Sequence, residues 1–97
     1  MRLRARVDKN QSKIVEELRA VGASVEYLHR LGRGVPDLLV GYCGVNYVME
    51  VKDGDASPSR QALTPDEVKW MRNWRGQKCV VRSPVGALKA IGIPPAE

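Results

Sequence analysis

Histidine is nearly absent: His29 stands alone among 97 residues. That excludes a zinc site built on imidazoles and a Ser-His-Asp triad, because both need imidazole ligands or a general base in company. Cysteine is almost as scarce. Cys43 and Cys79 form no metal-ligand spacing, and two thiols cannot staple a small fold as secreted scaffolds do, so they read as free thiols of a reducing compartment. Any catalysis in this chain must rest on carboxylates, lysine or arginine. No apolar stretch approaches the roughly 20 residues of a membrane-spanning helix. No apolar segment follows the basic start (Arg2, Arg4, Arg6, Lys9), so the pattern is not that of a signal peptide. Internal repeats and low-complexity tracts are also missing.

What is present is a charge surplus. The formal net charge is +5 and the isoelectric point lies near 9.6. A basic surplus suits a polyanionic partner, and nucleic acid is the usual one, although many basic domains bind nothing. The length predicts one domain over 1–97, with residues 1–8 as a basic N-terminal arm.

From Asn10 to Val21 the apolar positions Ile14, Val15, Leu18 and Val21 follow helical spacing, with Gly22 as C-cap. Ser24 to Arg30 alternates and reads as a strand. Leu31 to Val35 is a glycine-rich loop. Leu38–Tyr42 and Asn46–Lys52 read as two further strands around a Cys43-Gly44 turn. Gly54 to Leu63 is a polar loop. Thr64-Pro65-Asp66-Glu67 opens a helix with a capping box and proline at its first position. Val68, Met71 and Trp70 or Trp74 supply its expected buried stripe, and Gly76 ends it. Lys78 to Arg82 is a fourth strand, and Ser83-Pro84 caps a last short helix containing Leu88 and Ile91. The first three strands suit an antiparallel meander. The helix before the fourth permits a right-handed parallel crossover. The expected fold is α/β, a mixed sheet with helices on its faces.

A two-residue turn at Cys43-Gly44 makes residues face each other when their numbers add to 87, and Asp37 and Glu50 do so. Their Cβ atoms would lie about 4.5–5.5 Å apart. Lys52, two residues on, points to the same face. Facing carboxylates repel unless a cation sits between them. Oxygen ligands suit Mg²⁺ or Mn²⁺, which can polarise a phosphate oxygen and activate water, with Lys52 orienting that water or offsetting developing charge. The bland alternative is a polar edge residue beside a solvated Glu-x-Lys stripe. A second Pro-Asp occurs at Pro65-Asp66, followed by Glu67 and Lys69. That copy sits on a helix start, where residues two apart do not share a face, and capping accounts for it.

These residues resemble the PD-(D/E)xK nuclease superfamily, and more closely the virus-type replication–repair nuclease (VRR-NUC) family, in its small stand-alone phage and bacterial form. The matching text is Gly34-Val35-Pro36-Asp37-Leu38-Leu39-Val40-Gly41, then Glu50-Val51-Lys52, then Leu63-Thr64-Pro65-Asp66 with Trp70. Asp8-Lys9-Asn10-Gln11 through Leu18-Arg19 also matches. The resemblance implies a restriction-endonuclease-like α-β-β-β-α-β core. It implies metal binding by Asp37, Glu50 and the carbonyl of Val51, with Lys52 as catalytic lysine. It also implies an acidic residue on the first helix, at the position of Gln11. Glutamine is nearly isosteric with glutamate but uncharged, so metal affinity should fall. Without the resemblance, Gln11 reads as a solvent-facing helix residue.

The implied activity is a metal-dependent, structure-specific DNA endonuclease for branched DNA such as Holliday junctions or flaps, in DNA repair. It would act as a homodimer in the cytoplasm of a prokaryotic or phage-infected cell, with no membrane partner. A catalytically weakened or inactive DNA-binding module that keeps the fold is the competing expectation. Arg30, Arg33, Lys13 and Arg60 are the candidates for phosphate contacts, each of which taken singly reads as a surface charge. His29 reads as a surface or packing residue, and Trp70 and Trp74 as core or dimer-contact residues.

Overall fold

The computed structural model describes residues 9–95, so the basic arm expected over 1–8 lies outside the described residues. The element order is α1 (Lys9–Ala20), β1 (Ser24–Tyr27), a 3₁₀ turn (His29–Leu31), β2 (Leu38–Tyr42), β3 (Val45–Val51), α2 (Pro58–Gln61), α3 (Pro65–Asn73), β4 (Lys78–Val81) and α4 (Pro84–Ala90). The four strands form one sheet in the order β1-β2-β3-β4. The first three pair antiparallel and β4 joins β3 in parallel. This is the expected meander followed by a crossover.

Local chemistry fixes the elements. Ile14, Val15 and Leu18 give α1 its buried stripe. Gly22, at φ +95°, closes the helix, with Ala23 N–H bonding Leu18 O at 3.1 Å; this is the left-handed cap that glycine permits. Cys43 (φ +51°) and Gly44 (φ +81°) make the hairpin turn with both central residues left-handed, the form that matches strand twist. Leu38 therefore faces Met49, and Tyr42 faces Val45, as the two-residue turn requires.

One face of the sheet carries Val25, Leu38, Val40, Met49, Val51 and Val81, which form the core together with Ile14, Val15, Leu18, Ala87 and Ile91 of α1 and α4. The opposite face carries Glu50, with Lys52 and Lys78, whose ammonium groups both reach α3: Lys52 bonds Glu67, and Lys78 donates to the Met71 and Trp74 carbonyls. Helices thus lie on both faces.

Four local expectations need correction. The first strand stops at Tyr27, where the chain turns into the 3₁₀ segment carrying His29 and Arg30. The polar loop holds a short helix, Pro58–Gln61, begun by proline at its first position. The crossover helix ends at Asn73 rather than at Gly76. No residue of α3 is buried, so Val68, Met71 and the tryptophans form no buried stripe. Trp70 and Trp74 instead stack on each other at 4.9 Å, with Trp74 45% exposed.

Candidate active site

The end of the β2–β3 hairpin concentrates acid. Extending the ladder one step past Leu38–Met49 sets Asp37 opposite Glu50. The two carboxyl groups are hydrogen-bonded to each other. Asp37 Oδ2 also accepts from the Val51 N–H at 2.8 Å, and the Asp37 carbonyl accepts from Leu28 N–H at 2.7 Å. The aspartate is therefore held by its own backbone on one side and by β3 on the other.

Glu50 is only 4% exposed. Burial first, then the charges of Asp37 and Glu67 and the bond to Asp37, push its pKa up to about 9, against a smaller opposing pull from Lys52. Asp37 is also raised, chiefly by burial, while the Val51 N–H and the Glu50 bond act in the other direction. The pair keeps a proton because two buried carboxylates in contact cannot both ionise cheaply.

Lys52 lies just beyond β3. Its N–H bonds Val81 O at 3.0 Å, and its carbonyl accepts from the Asn10 amide at 3.0 Å. Its ammonium stands 3.7 Å from Glu50 Oε2 and 2.8 Å from Glu67 Oε1. Burial alone would lower the lysine pKa. The Glu67 bond and the three surrounding carboxyl groups outweigh burial and raise it.

Glu67 is the residue that sequence reasoning passed over. The capping box at Thr64 is real: Thr64 Oγ1 accepts from Glu67 N–H at 3.2 Å, and Glu67 Oε1 accepts from Thr64 N–H at 2.9 Å. The same oxygen also takes the Lys52 ammonium. Capping explained the residue's identity so completely that nothing in the chain order pointed to a second role. Its pKa is lowered: burial pushes it up, but the Lys52 and Thr64 hydrogen bonds prevail.

Gln11 is 7% exposed, so the solvent-facing alternative does not hold for it. It sits beside Asn10, whose amide reaches Lys52 O, and so belongs to the end of α1 nearest the acidic cluster. The four candidate DNA-contact cations are spread over four segments. Lys13 is on α1, Arg30 on the 3₁₀ turn, Arg33 on the glycine loop and Arg60 on α2, all exposed. Among the described residues none of them forms an ion pair with the carboxyl groups; the pairs present are those of Lys52. Arg33, at φ +56°, lines a pocket of about 330 Å³ with Asp66, Lys69, Trp70 and Asn73. Lys13 lines another with Lys9, Asn10, Asp53 and Asp55. His29 packs edge-on to Tyr27 at 5.7 Å, and among the described residues its buried Nδ1 has no hydrogen-bond partner.

The donor set fits a hard divalent cation. Two carboxyl groups face each other at the end of the hairpin, with Asp37 fixed by the Val51 N–H, and Mg²⁺ commonly takes only one or two carboxylates, with waters completing its shell. Among the described residues no group of three acidic, histidine or cysteine side chains is arranged to hold an ion.

A mixed four-stranded sheet of this order, with helices on both faces, is a restriction-endonuclease-like core. No protein-family model matches the sequence, and no curated protein matches it. A solved structure described as a VRR_NUC domain does: it is 31% identical, superposes with a TM-score of 0.64, and the match covers 86% of this chain and 90% of that one. The chain belongs to the VRR-NUC family and is a nuclease-type domain. Among the described residues no helix is long and apolar enough to cross a membrane.

Proposed function

We propose that this protein is a divalent-metal-dependent, structure-specific DNA endonuclease that hydrolyses phosphodiester bonds on branched or flapped DNA. The observation that carries the reading is the placing of Asp37 opposite Glu50 at the end of the hairpin, with the Lys52 ammonium 3.7 Å from Glu50 Oε2. Asp37 and Glu50 would hold Mg²⁺ or Mn²⁺. The Val51 carbonyl is the further donor: Val51 N–H points at Asp37, and in an extended strand the N–H and C=O of one residue point to the same side. When bound, the cation supplies Lewis acidity toward a phosphate oxygen and lowers the pKa of a coordinated water. Lys52 orients the attacking water or offsets charge growing on the phosphate oxygens. Asp37 keeps its place through the Val51 N–H, and Glu50 gives up its proton as the site is filled.

The +5 net charge favours a polyanion, and Arg30, Arg33, Lys13 and Arg60 are the proposed phosphate contacts. A four-way junction is the first substrate to test. Cutting two symmetric strands calls for a homodimer, which also enlarges the binding surface of a 97-residue chain. The proposed setting is DNA repair in the cytoplasm of a prokaryotic or phage-infected cell.

Gln11 favours a second reading, a DNA-binding module with weak or no catalysis. The test uses the Gln11→Glu protein with Mg²⁺ or Mn²⁺ on junction, flap and single-stranded DNA. Cleavage of at least one is expected, and cleavage of none rejects the endonuclease. Calorimetric metal titration separates the two readings for the native sequence. Metal binding lost in Asp37→Ala supports the nuclease. Salt-sensitive DNA binding indifferent to metal and to Asp37 supports the module.

A further inference from the structure

We propose that Glu67 is a positioning residue for Lys52: the carboxylate that caps α3 is also the tether that holds the lysine ammonium against the Asp37–Glu50 pair. The tether is a matter of geometry; its catalytic consequence rests on the nuclease reading above.

A long, flexible lysine side chain gives up much rotamer freedom when it is fixed, so a partner must hold it. The Lys52 backbone is held at both ends by Val81 O and the Asn10 amide, but that leaves the four-carbon stem free. Two acids stand within reach of its ammonium. Glu67 is at hydrogen-bond distance, 2.8 Å, whereas Glu50 is at 3.7 Å and is engaged with Asp37. Glu67 Oε1 takes the Lys52 ammonium and the Thr64 N–H together.

Glu67 is itself immobilised. Its Oε1 accepts from Thr64 N–H at 2.9 Å, and its own N–H bonds Thr64 Oγ1 at 3.2 Å. The first turn of α3 is pressed against the glycine loop: a Cβ on Gly34 would lie 2.3 Å from Asp66 O and 2.8 Å from Glu67 N. The loop that leads into Asp37 and the helix that carries Glu67 thus touch backbone to backbone. A carboxylate at a helix start is also favoured by the helix dipole.

Two other roles fit less well. As a third metal ligand, Glu67 would need to close on a cation together with Asp37 and Glu50, and among the described residues no three such groups do. Its Oε1 already takes two donors. As a cap alone, glutamine would serve as well as glutamate, since the capping box accepts either. That equivalence provides the test.

The experiment compares the full-length native protein with Glu67→Gln and Glu67→Ala. Side-chain NMR of the metal-free proteins reads the mobility of the Lys52 Cε and ammonium groups, with exposed Lys13 as internal reference. Lys52 is expected to be restrained in the native protein, looser in Glu67→Gln although helix content is kept, and as mobile as Lys13 in Glu67→Ala. Equal restraint in all three proteins, or a native Lys52 as mobile as Lys13, overturns the tether. In the Gln11→Glu background, Glu67→Gln is expected to lower kcat about 10- to 100-fold with KM unchanged, the scale of a misplaced catalytic group. An unaltered kcat overturns the catalytic consequence. Absence of cleavage in the Gln11→Glu parent counts against the nuclease reading instead, and the NMR comparison still decides the tether.

Discussion

Asp37 has two duties that oppose each other. Its Oδ2 satisfies the Val51 N–H at the end of β3, which favours the fold. Its charge bears on a Glu50 that burial has already made reluctant to ionise, which does not. An asparagine keeps the acceptor and removes the charge; an alanine removes both. Metal-free Asp37→Asn is therefore expected to be more stable than the native protein at mildly alkaline pH, by about 0.5–2 kcal/mol, as when charge conflict is relieved at a functional site. Asp37→Ala should fall about 1–3 kcal/mol below Asp37→Asn, because it strands a partly buried N–H. Both variants should lose metal affinity. Urea unfolding with and without Mn²⁺ measures all three effects. An Asp37→Asn protein no more stable than the native one would mean that the carboxyl pair is not in conflict.

At the scale of elements, the site depends on how α3 is seated, and Gly34 decides that. It combines φ +81° with a Cβ position already occupied by the Asp66 and Glu67 backbone. Gly22 has a similar positive φ, +95°, but open space around it. Gly22→Ala should cost only backbone strain, about 1–2 kcal/mol. Gly34→Ala should cost that and more, since α3 must also shift, and it should free Lys52 from Glu67. Denaturant midpoints for the two variants, with Lys52 NMR on the second, test this; equal losses would mean that the loop–helix contact is soft. The same contrast shows what chain order can reveal. The Asp37–Glu50 register was legible because a two-residue turn of Cys43 and Gly44 leaves no freedom in the pairing. The cap at Thr64 was legible because it lies within four residues. The contact of Gly34 with Asp66, and hence the arrival of Glu67 beside Lys52, spans 32 residues and carries no local signal. The tryptophans misled for a related reason: Trp70 and Trp74 have the spacing of a buried stripe, but they satisfy each other by stacking.

For the whole molecule, the core is one-sided and small, while the other face holds a charge cluster at one end of the sheet. A domain of this size has little stability in reserve, so the protonation of that cluster should show in global unfolding. The folded protein holds the Glu50 carboxyl at about 9 instead of 4.5, and Asp37 is raised as well. Between about pH 4.5 and 9 the native state therefore binds more protons than the unfolded chain, and stability must fall as pH rises through that window. The other two shifts act outside it. Lys52 is raised above its ordinary 10.5, so its contribution is lost only as alkaline pH passes that raised value. Glu67 is lowered below 4.5, so its contribution is lost only in acid. A divalent cation replaces the shared proton and stabilises the fold by mass action. Its effect should thus grow with pH: the rise in Tm on adding saturating Mn²⁺ is expected to be small near about pH 5.5 and several degrees larger near about pH 8.5. Thermal unfolding at the two pH values, with Glu50→Gln as control, checks the sign. A metal-induced shift that is the same at both, or that persists in Glu50→Gln, would place the cation somewhere other than between Asp37 and Glu50.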